Sequence, residues 1–174
     1  MTLAVFIQRA DFSIRPVRPD ELDSVLEVYR QCEDFLALGP VAAASMAMVL
    51  ADLDLSRAEG GVYCGIFSPA GEMLGVFDFI LSGYAGDPQA AYLSLLMIAA
   101  PHRGQGLGRA VVAAVEEEIC RDLRITAICA GVQVNNLPGV RFWQRCGYRV
   151  VSGPKLLPDQ TTVFDLRKDI LPAL

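Results

Sequence analysis

The segment Arg-Gly-Gln-Gly-Leu-Gly at positions 103–108, called the glycine loop below, decides how this sequence is interpreted. It follows a nearly continuous apolar run, Tyr92 to Ala99, which predicts a central strand buried on both faces. It leads into residues 107–122, where apolar side chains recur with helical spacing. Alternate glycines allow successive amides to point into one concavity at the start of that helix. The segment therefore predicts a site for a phosphate or pyrophosphate group.

Three kinds of glycine-rich loop compete for this segment. A P-loop needs lysine and then serine or threonine after its last glycine, whereas arginine and alanine follow here. A dinucleotide-binding loop needs glycine or alanine at the position where this sequence has Arg109. It also needs an acidic residue at the end of the next strand, but that strand ends here in Val-Gln-Val at 132–134. The pattern R/Q-x-x-G-x-G/A fits Arg103, Gly106 and Gly108.

Hydrophobic periodicity predicts a mixed α/β chain. Strands are predicted at 12–17, 61–67, 73–81, 92–99, 124–134, 148–152 and 162–166. A first helix is predicted to open at Pro19, further helices at 41–53, 107–122 and 137–146, and a loop at 33–40. No linker interrupts the order β-α-α-β-β-β-α-β-α-β-β, so we expect one domain over residues 12–170.

The composition excludes several classes of protein. The chain has 174 residues, of which 53% are hydrophobic and 20% charged, so it can bury a core and is not disordered. Its net charge of -5 argues against a dedicated nucleic-acid binder. The longest uncharged stretch, 35–51, is shorter than the roughly 20 residues of a membrane span. We expect no signal peptide and no membrane partner, because no basic region precedes the short apolar run at the N-terminus.

The five cysteines are scattered and form no CxxC pair. This pattern argues against a disulfide framework and against a zinc site, so no metal is expected. Reduced cysteines that act as small apolar residues are typical of a cytoplasmic protein, which is the location that we expect.

A second motif lies downstream of the glycine loop. It consists of Asn136, Gly139, Phe142-Trp143 and Gly147-Tyr148. Together with the strand, loop and helix of residues 96–108, it resembles the GCN5-related N-acetyltransferase (GNAT) family. The predicted element order agrees with that family from about Phe12 to Leu166.

The resemblance implies a mixed sheet that is flanked by helices and splayed between its fourth and fifth strands, often with a bulge. It implies acetyl-CoA as cosubstrate, with the pyrophosphate on the amides of the glycine loop and the pantetheine arm paired like an extra strand. An amide near Ile98 would polarise the thioester carbonyl. The residues expected to contact the cosubstrate are Leu96, Met97, Ile98, Arg103, Gly104, Gln105, Gly106, Leu107, Gly108, Asn136 and Trp143.

The sequence departs from the family at both positions that would move protons. Many relatives carry a tyrosine where Trp143 stands, and an indole does not titrate in the useful range, so we expect Trp143 to pack against the cosubstrate arm or close the splay. Some relatives carry a glutamate five residues before the motif asparagine, where Gly131 stands here. Asp78 is the candidate base, because its predicted strand face, shared with Leu74 and Val76, is apolar and burial would raise its pKa.

Three functions remain open at this point. The first is direct transfer of an acetyl group from acetyl-CoA to a primary amine of a small molecule or peptide. The second is a non-catalytic acyl-CoA-binding or sensing module of the same fold, since neither usual proton-transfer residue is present. The third is a nucleotide-binding module that uses the glycine loop for another phosphate. A homodimer is common in such folds and also remains open.

Overall fold

The computed structural model describes residues 5–170, which form eight strands and five α-helices. The strands are β1 (Ile7–Gln8), β2 (Ser13–Pro16), β3 (Val62–Phe67), β4 (Met73–Ile80), β5 (Ala90–Ile98), β6 (Ala127–Gln133), β7 (Arg149–Leu156) and β8 (Thr162–Asp169). The helices are α1 (Leu22–Arg30), α2 (Glu33–Leu36), α3 (Met46–Ala58), α4 (Leu107–Ile119) and α5 (Leu137–Arg145).

All eight strands join one sheet in the order β1-β2-β3-β4-β5-β6-β8-β7. Neighbouring strands are antiparallel except for β5 and β6, which are parallel. A parallel pair needs a crossover connection, and α4 supplies it here. The glycine loop lies at the start of that crossover.

The sheet is open between β5 and β6. Pairing runs only from Ala90–Ala127 to Leu93–Ala130, and the rest of each strand has no partner on that side. On its other edge β5 carries a bulge, because Asp78 faces Leu95 while the next residue of β4 faces Leu93. The prediction of a splay between the fourth and fifth strands is confirmed. The fourth and fifth predicted strands correspond to β5 and β6, because the predicted strands do not include the short β1.

Two hydrophobic clusters cover the two faces of the sheet. One packs the buried side of α4 and residues of α5 against the sheet, with Val111, Val115 and Trp143 among its members. The other packs α1 and α3 against β3, β4 and β5, with Val25, Tyr29 and Met97 among its members. The helices on the two faces thus flank the opening at the end of β5.

Two predictions for the segment between α1 and β3 were wrong. The loop predicted at 33–40 contains the one-turn helix α2, and the helix predicted at 41–53 begins only at Met46. The Ser45 hydroxyl accepts a hydrogen bond from the Met48 amide, so the cap and not the apolar run before it sets the start of α3. Between residues 5 and 170, no helix has both the length and the apolar character that crossing a membrane requires.

Candidate active site

A cleft of about 700 Å³ runs from the glycine loop along the open edge of β5. Its walls come from the turn between α1 and α2, from α2, from β5, from the start of α4 and from one side of α5. Nine of the residues predicted to contact the cosubstrate line it: Leu96, Met97, Ile98, Arg103, Gly104, Gly106, Leu107, Gly108 and Asn136. Strand, loop and cap residues that are far apart in sequence therefore meet in one cavity.

The amides of residues 104–109 form a donor-rich end of this cleft. Within the described chain, none of these six amides donates to another backbone or side-chain acceptor. Gly106 precedes α4 with φ +84°, in the left-handed region that glycine adopts without strain. The first amides of a helix point along its axis, at the positive end of its dipole. The loop can therefore bind a polyanion through its backbone.

The two arginines beside the loop have different surroundings. Arg103 Nη1 lies 2.6 Å from Asp34 Oδ2, and Arg103 Nε donates to the Ile98 carbonyl oxygen at 2.7 Å. The hydrogen bond from Arg103, together with its charge, holds the pKa of the Asp34 carboxyl below the usual value. Arg109 lines the cleft and forms no ion pair within residues 5–170. Arg109 is therefore free to meet a bound phosphate, as is Arg145, which also lines the cleft and forms no ion pair among the described residues.

The end of β5 offers backbone groups to the cleft. The Ala99 amide donates to the Leu74 carbonyl on β4, whereas the Ile98 carbonyl accepts from Arg103 and from Cys32 Sγ, which is 3.4 Å away. Because backbone groups alternate sides along a strand, the Ile98 amide also points away from β4, as do the groups of Leu96. These groups face the opening and can pair with an extended ligand.

The spacing between Asn136 and Gly139 has a structural cause. The Asn136 side chain caps α5 by accepting a hydrogen bond from the Gly139 amide at 2.9 Å. A Cβ atom at position 139 would lie 2.4 Å from Asn136 Nδ2. A residue with a Cβ atom at position 139 would therefore displace the Asn136 side chain from this cap.

Of the two adjacent aromatic residues of α5, Phe142 and not Trp143 lies on the cleft wall. Phe142 lines the cleft with Pro138, Arg145 and Cys146, which share one side of α5. Trp143 is buried and packs edge-to-face on Tyr148, with ring centroids 5.1 Å apart. Both aromatic residues belong to the motif identified in the sequence. The helical spacing of Phe142 from Asn135 and Pro138, which also line the cleft, was the signal that could have identified Phe142 as the one facing it.

Asp78 and Gln105 are not among the residues that line the cleft. Asp78 is buried between β4 and α3, where the Ser56 hydroxyl donates to its Oδ1 at 2.6 Å. Burial raises the pKa of its carboxyl, as expected, but Leu74 belongs to the cluster of the opposite face. The Gln105 side chain donates to the Pro101 carbonyl at 3.3 Å. The part of the chain described shows no group of three His, Cys, Asp or Glu side chains suited to a metal ion.

An open mixed sheet beside a glycine loop defines the acyl-CoA acyltransferase class of fold. The family model described as the acetyltransferase (GNAT) family matches residues 23–148. The chain therefore belongs to the GNAT acetyltransferase family, and the resemblance of the two motifs is confirmed. A comparison with curated protein sequences gave no match.

Solved structures share the fold at low sequence identity. An acetyltransferase from Thermus thermophilus is 22% identical with a TM-score of 0.77, over 95% of this chain and 100% of the other. The spermidine N-acetyltransferase of Vibrio cholerae in complex with CoA and spermine is 13% identical with a TM-score of 0.71, over 92% and 96%. The ribosomal L7/L12 alpha-N-protein acetyltransferase RimL in complex with CoA is 16% identical with a TM-score of 0.74, over 95% and 98%.

Proposed function

We propose that this protein transfers an acetyl group from acetyl-CoA directly to a primary amine. The observation that carries the proposal is the row of six unpartnered amides at the start of α4, at one end of a cleft whose wall is the open edge of β5. The loop amides and Arg109 fit a pyrophosphate, and the Leu96 and Ile98 backbone fits an extended amide-bearing arm. Structural neighbours with CoA bound support this ligand.

In this scheme the residues of the chain bind and orient the two substrates. The thioester supplies an already activated acyl group, so no covalent enzyme intermediate is needed. The Ile98 amide, which faces the opening, donates to the thioester oxygen as negative charge develops there. The amine nitrogen forms the new C–N bond as the C–S bond breaks. The nitrogen loses one proton to water and the departing sulfur gains one from water, which leaves an amide and free CoA.

The absence of both usual proton-transfer residues favours a second candidate, a module that binds acyl-CoA without turnover. The indole of Trp143 is buried in the core, and Gly131 has no side chain to serve as a base. A reference thiol has a pKa of about 8.5, so water can protonate the leaving sulfur near neutral pH without an enzymic acid. That argument keeps the enzyme as the first proposal.

Thiol release measured with acetyl-CoA tests the two candidates. The acceptors are spermine and a short peptide with a free α-amino group, because neighbours are named for a polyamine and for a protein α-amino group. Release of CoA together with an acetylated product in the mass spectrum supports the enzyme. Tight CoA binding in calorimetry with no product from either amine supports the module, and thermal stabilisation by ATP but not by CoA would overturn both.

A further inference from the structure

The strap, defined as residues 33–39, is joined to both sides of the opening between β5 and β6. Immediately before it, Cys32 Sγ donates to the Ile98 carbonyl oxygen at the end of β5, 3.4 Å away. Near its other end, the Leu38 carbonyl oxygen accepts a hydrogen bond at 3.2 Å from Asn135 Nδ2, two residues after the end of β6. The strap therefore crosses the opening from one strand end to the other.

The strap covers the face of the opening that lies opposite α4 and α5. Phe35 and Leu36 pack against the cluster that holds α1 and α3 on that face. Phe35 and Leu38 also line the cleft, as does Asn135. Helices α4 and α5 wall the cleft from the other face. The Ile98 amide, which the proposed function assigns to the thioester oxygen, therefore faces a space that is covered on both faces of the sheet.

Few buried contacts hold the strap in place. Cys32 and Val49 are buried, whereas none of residues 33–48 is fully buried. Polar contacts fix the strap instead, through the ion pair of Asp34 with Arg103 and the hydrogen bond from Asn135. A segment with few buried apolar contacts opens locally at low free energy. The strap can therefore move while the sheet and the long helices keep their places.

We infer that the strap is a lid over the thioester and that the Asn135 side chain holds it closed, which keeps water from acetyl-CoA while no amine is bound. The inference rests on the proposed function, because that function assigns the thioester oxygen to the Ile98 amide. Asn135 is a positioning residue in this scheme, since it acts through the strap and not on the reacting atoms. Closure of a site over a reactive group is a general means of preventing its hydrolysis.

Hydrolysis and acetyl transfer break the same C–S bond. In hydrolysis the water oxygen forms a C–O bond with the acetyl carbon, one proton of that water goes to the sulfur, the other goes to solvent, and acetate and free CoA result. In transfer the amine nitrogen occupies the approach to the acetyl carbon, so the water that accepts its proton lies behind the nitrogen. The strap needs only to keep water from this approach while no amine is present.

Asn135→Leu tests the lid, because it removes the hydrogen bond to Leu38 and keeps a side chain of similar size. With the protein saturated by acetyl-CoA and no amine present, we expect acetate release to rise about two- to tenfold, the range that loss of one hydrogen bond allows. Asp34→Ala frees the other end of the strap from Arg103 and should raise acetate release as well. With saturating spermine or α-amino peptide, kcat for transfer in Asn135→Leu should change little.

Gln8→Leu is the matched control. It removes an exposed hydrogen bond from a side-chain amide to a backbone carbonyl on β1, outside the cleft. We expect this variant to release acetate at the wild-type rate. A variant that merely loosens the fold would lose transfer, so acetate release and transfer measured on the same sample separate a lid from general damage.

The two products also separate the inference from the proposed function. Acetate release at the wild-type rate in both Asn135→Leu and Asp34→Ala would overturn the inference, while transfer by the wild type would keep the proposed function. A loss of transfer in proportion to the gain in acetate would likewise overturn the lid. A wild-type protein that acetylates neither amine would overturn the proposed function, and more acetate from Asn135→Leu than from Gln8→Leu would still support the lid.

Discussion

Arg103 and Asp34 form an ion pair that ties the glycine loop to the corner between α1 and α2, with 2.6 Å between Nη1 and Oδ2. The same guanidinium also bonds the carbonyl of Ile98, so a single side chain fixes three walls of the cleft. Its charge is consequently balanced within the protein. The first arginine of the loop motif thus serves to position the loop, and Arg109 remains for the ligand.

The first prediction distinguishes these two arginines. Arg109→Met should weaken CoA binding about tenfold or more, because it removes a charge-assisted contact to phosphate. It should also reduce the salt dependence of Kd. Arg103→Met should change that salt dependence little, since its charge already has a partner. Calorimetric titrations with CoA at several salt concentrations measure both effects. Equal loss of salt dependence in the two variants would show that both arginines contact phosphate.

The second prediction concerns the backbone of the glycine loop. Gly106→Val forces a branched side chain into a left-handed conformation and toward the amides that would hold pyrophosphate. We expect a folded protein whose affinity for CoA falls by at least about 1–3 kcal/mol. The matched control is Gly71→Val, which has a similar φ of +87° in the turn between β3 and β4. It should lose similar stability but keep CoA affinity, and equal CoA affinity in both variants would contradict the proposed phosphate site.

The third prediction exploits the two adjacent aromatics of α5. Trp143→Phe should lower the free energy of unfolding by about 1–3 kcal/mol and keep most of kcat, because it shrinks a buried side chain that does not line the cleft. Phe142→Leu should instead weaken CoA binding with a smaller loss of stability. Urea denaturation measures the loss of stability in each variant, and titration with CoA measures the loss of affinity. A hundredfold loss of kcat in Trp143→Phe would instead indicate a direct part in the chemistry.

The fourth prediction is a pH dependence of stability that arises from Asp78. Burial raises its pKa in the folded protein, so the folded state holds a proton that the unfolded chain releases at its ordinary pKa of about 3.9. The contribution of Asp78 to stability therefore falls as pH rises from that value through the raised pKa. Asp78→Asn removes the ionisable group and therefore this pH-dependent contribution to the free energy of unfolding, but it keeps an acceptor for the Ser56 hydroxyl. Its stability relative to wild type should increase over that range, measured as urea midpoints at successive pH values.

The same variant tests Asp78 as the base. Because Asp78 does not line the cleft, we expect Asp78→Asn to change kcat little. A loss of about a hundredfold with intact CoA affinity would fit a general base and would support the role expected from the sequence.

The order of elements and the glycine loop could be predicted because they depend on local patterns. The periodicity of residues 107–122 and the unbroken apolar run before the loop reflect one helix and one buried strand. Nine of the residues predicted to contact the cosubstrate line the cleft for the same reason, since strand, loop and helix cap follow from their own sequence.

What could not be predicted depends on how separate strands meet. The bulge opposite Asp78 and the extra residue at Leu74 change which side chains share a face, and neither has a local sequence signal. The contact between Asn135 and Leu38 needs the strap to meet the end of β6, which is set by tertiary packing. The rotation of α5 about its axis decides whether Phe142 or Trp143 faces the cleft. In an isolated helix either residue could do so.

Because the pairing of β5 and β6 ends at Leu93–Ala130, the rest of this edge of β5 has no strand partner. The extended arm of a bound acetyl-CoA would pair with this edge of β5 like an additional strand. Amide hydrogen exchange at Leu96 and Ile98 would therefore slow when acetyl-CoA binds. By mass action, a ligand at about 100 times its Kd adds about 2.7 kcal/mol to the stability of the folded state. The lifetime of this protein under proteolysis would then follow the supply of acyl-CoA, and a starved cell would clear the enzyme faster than a fed one.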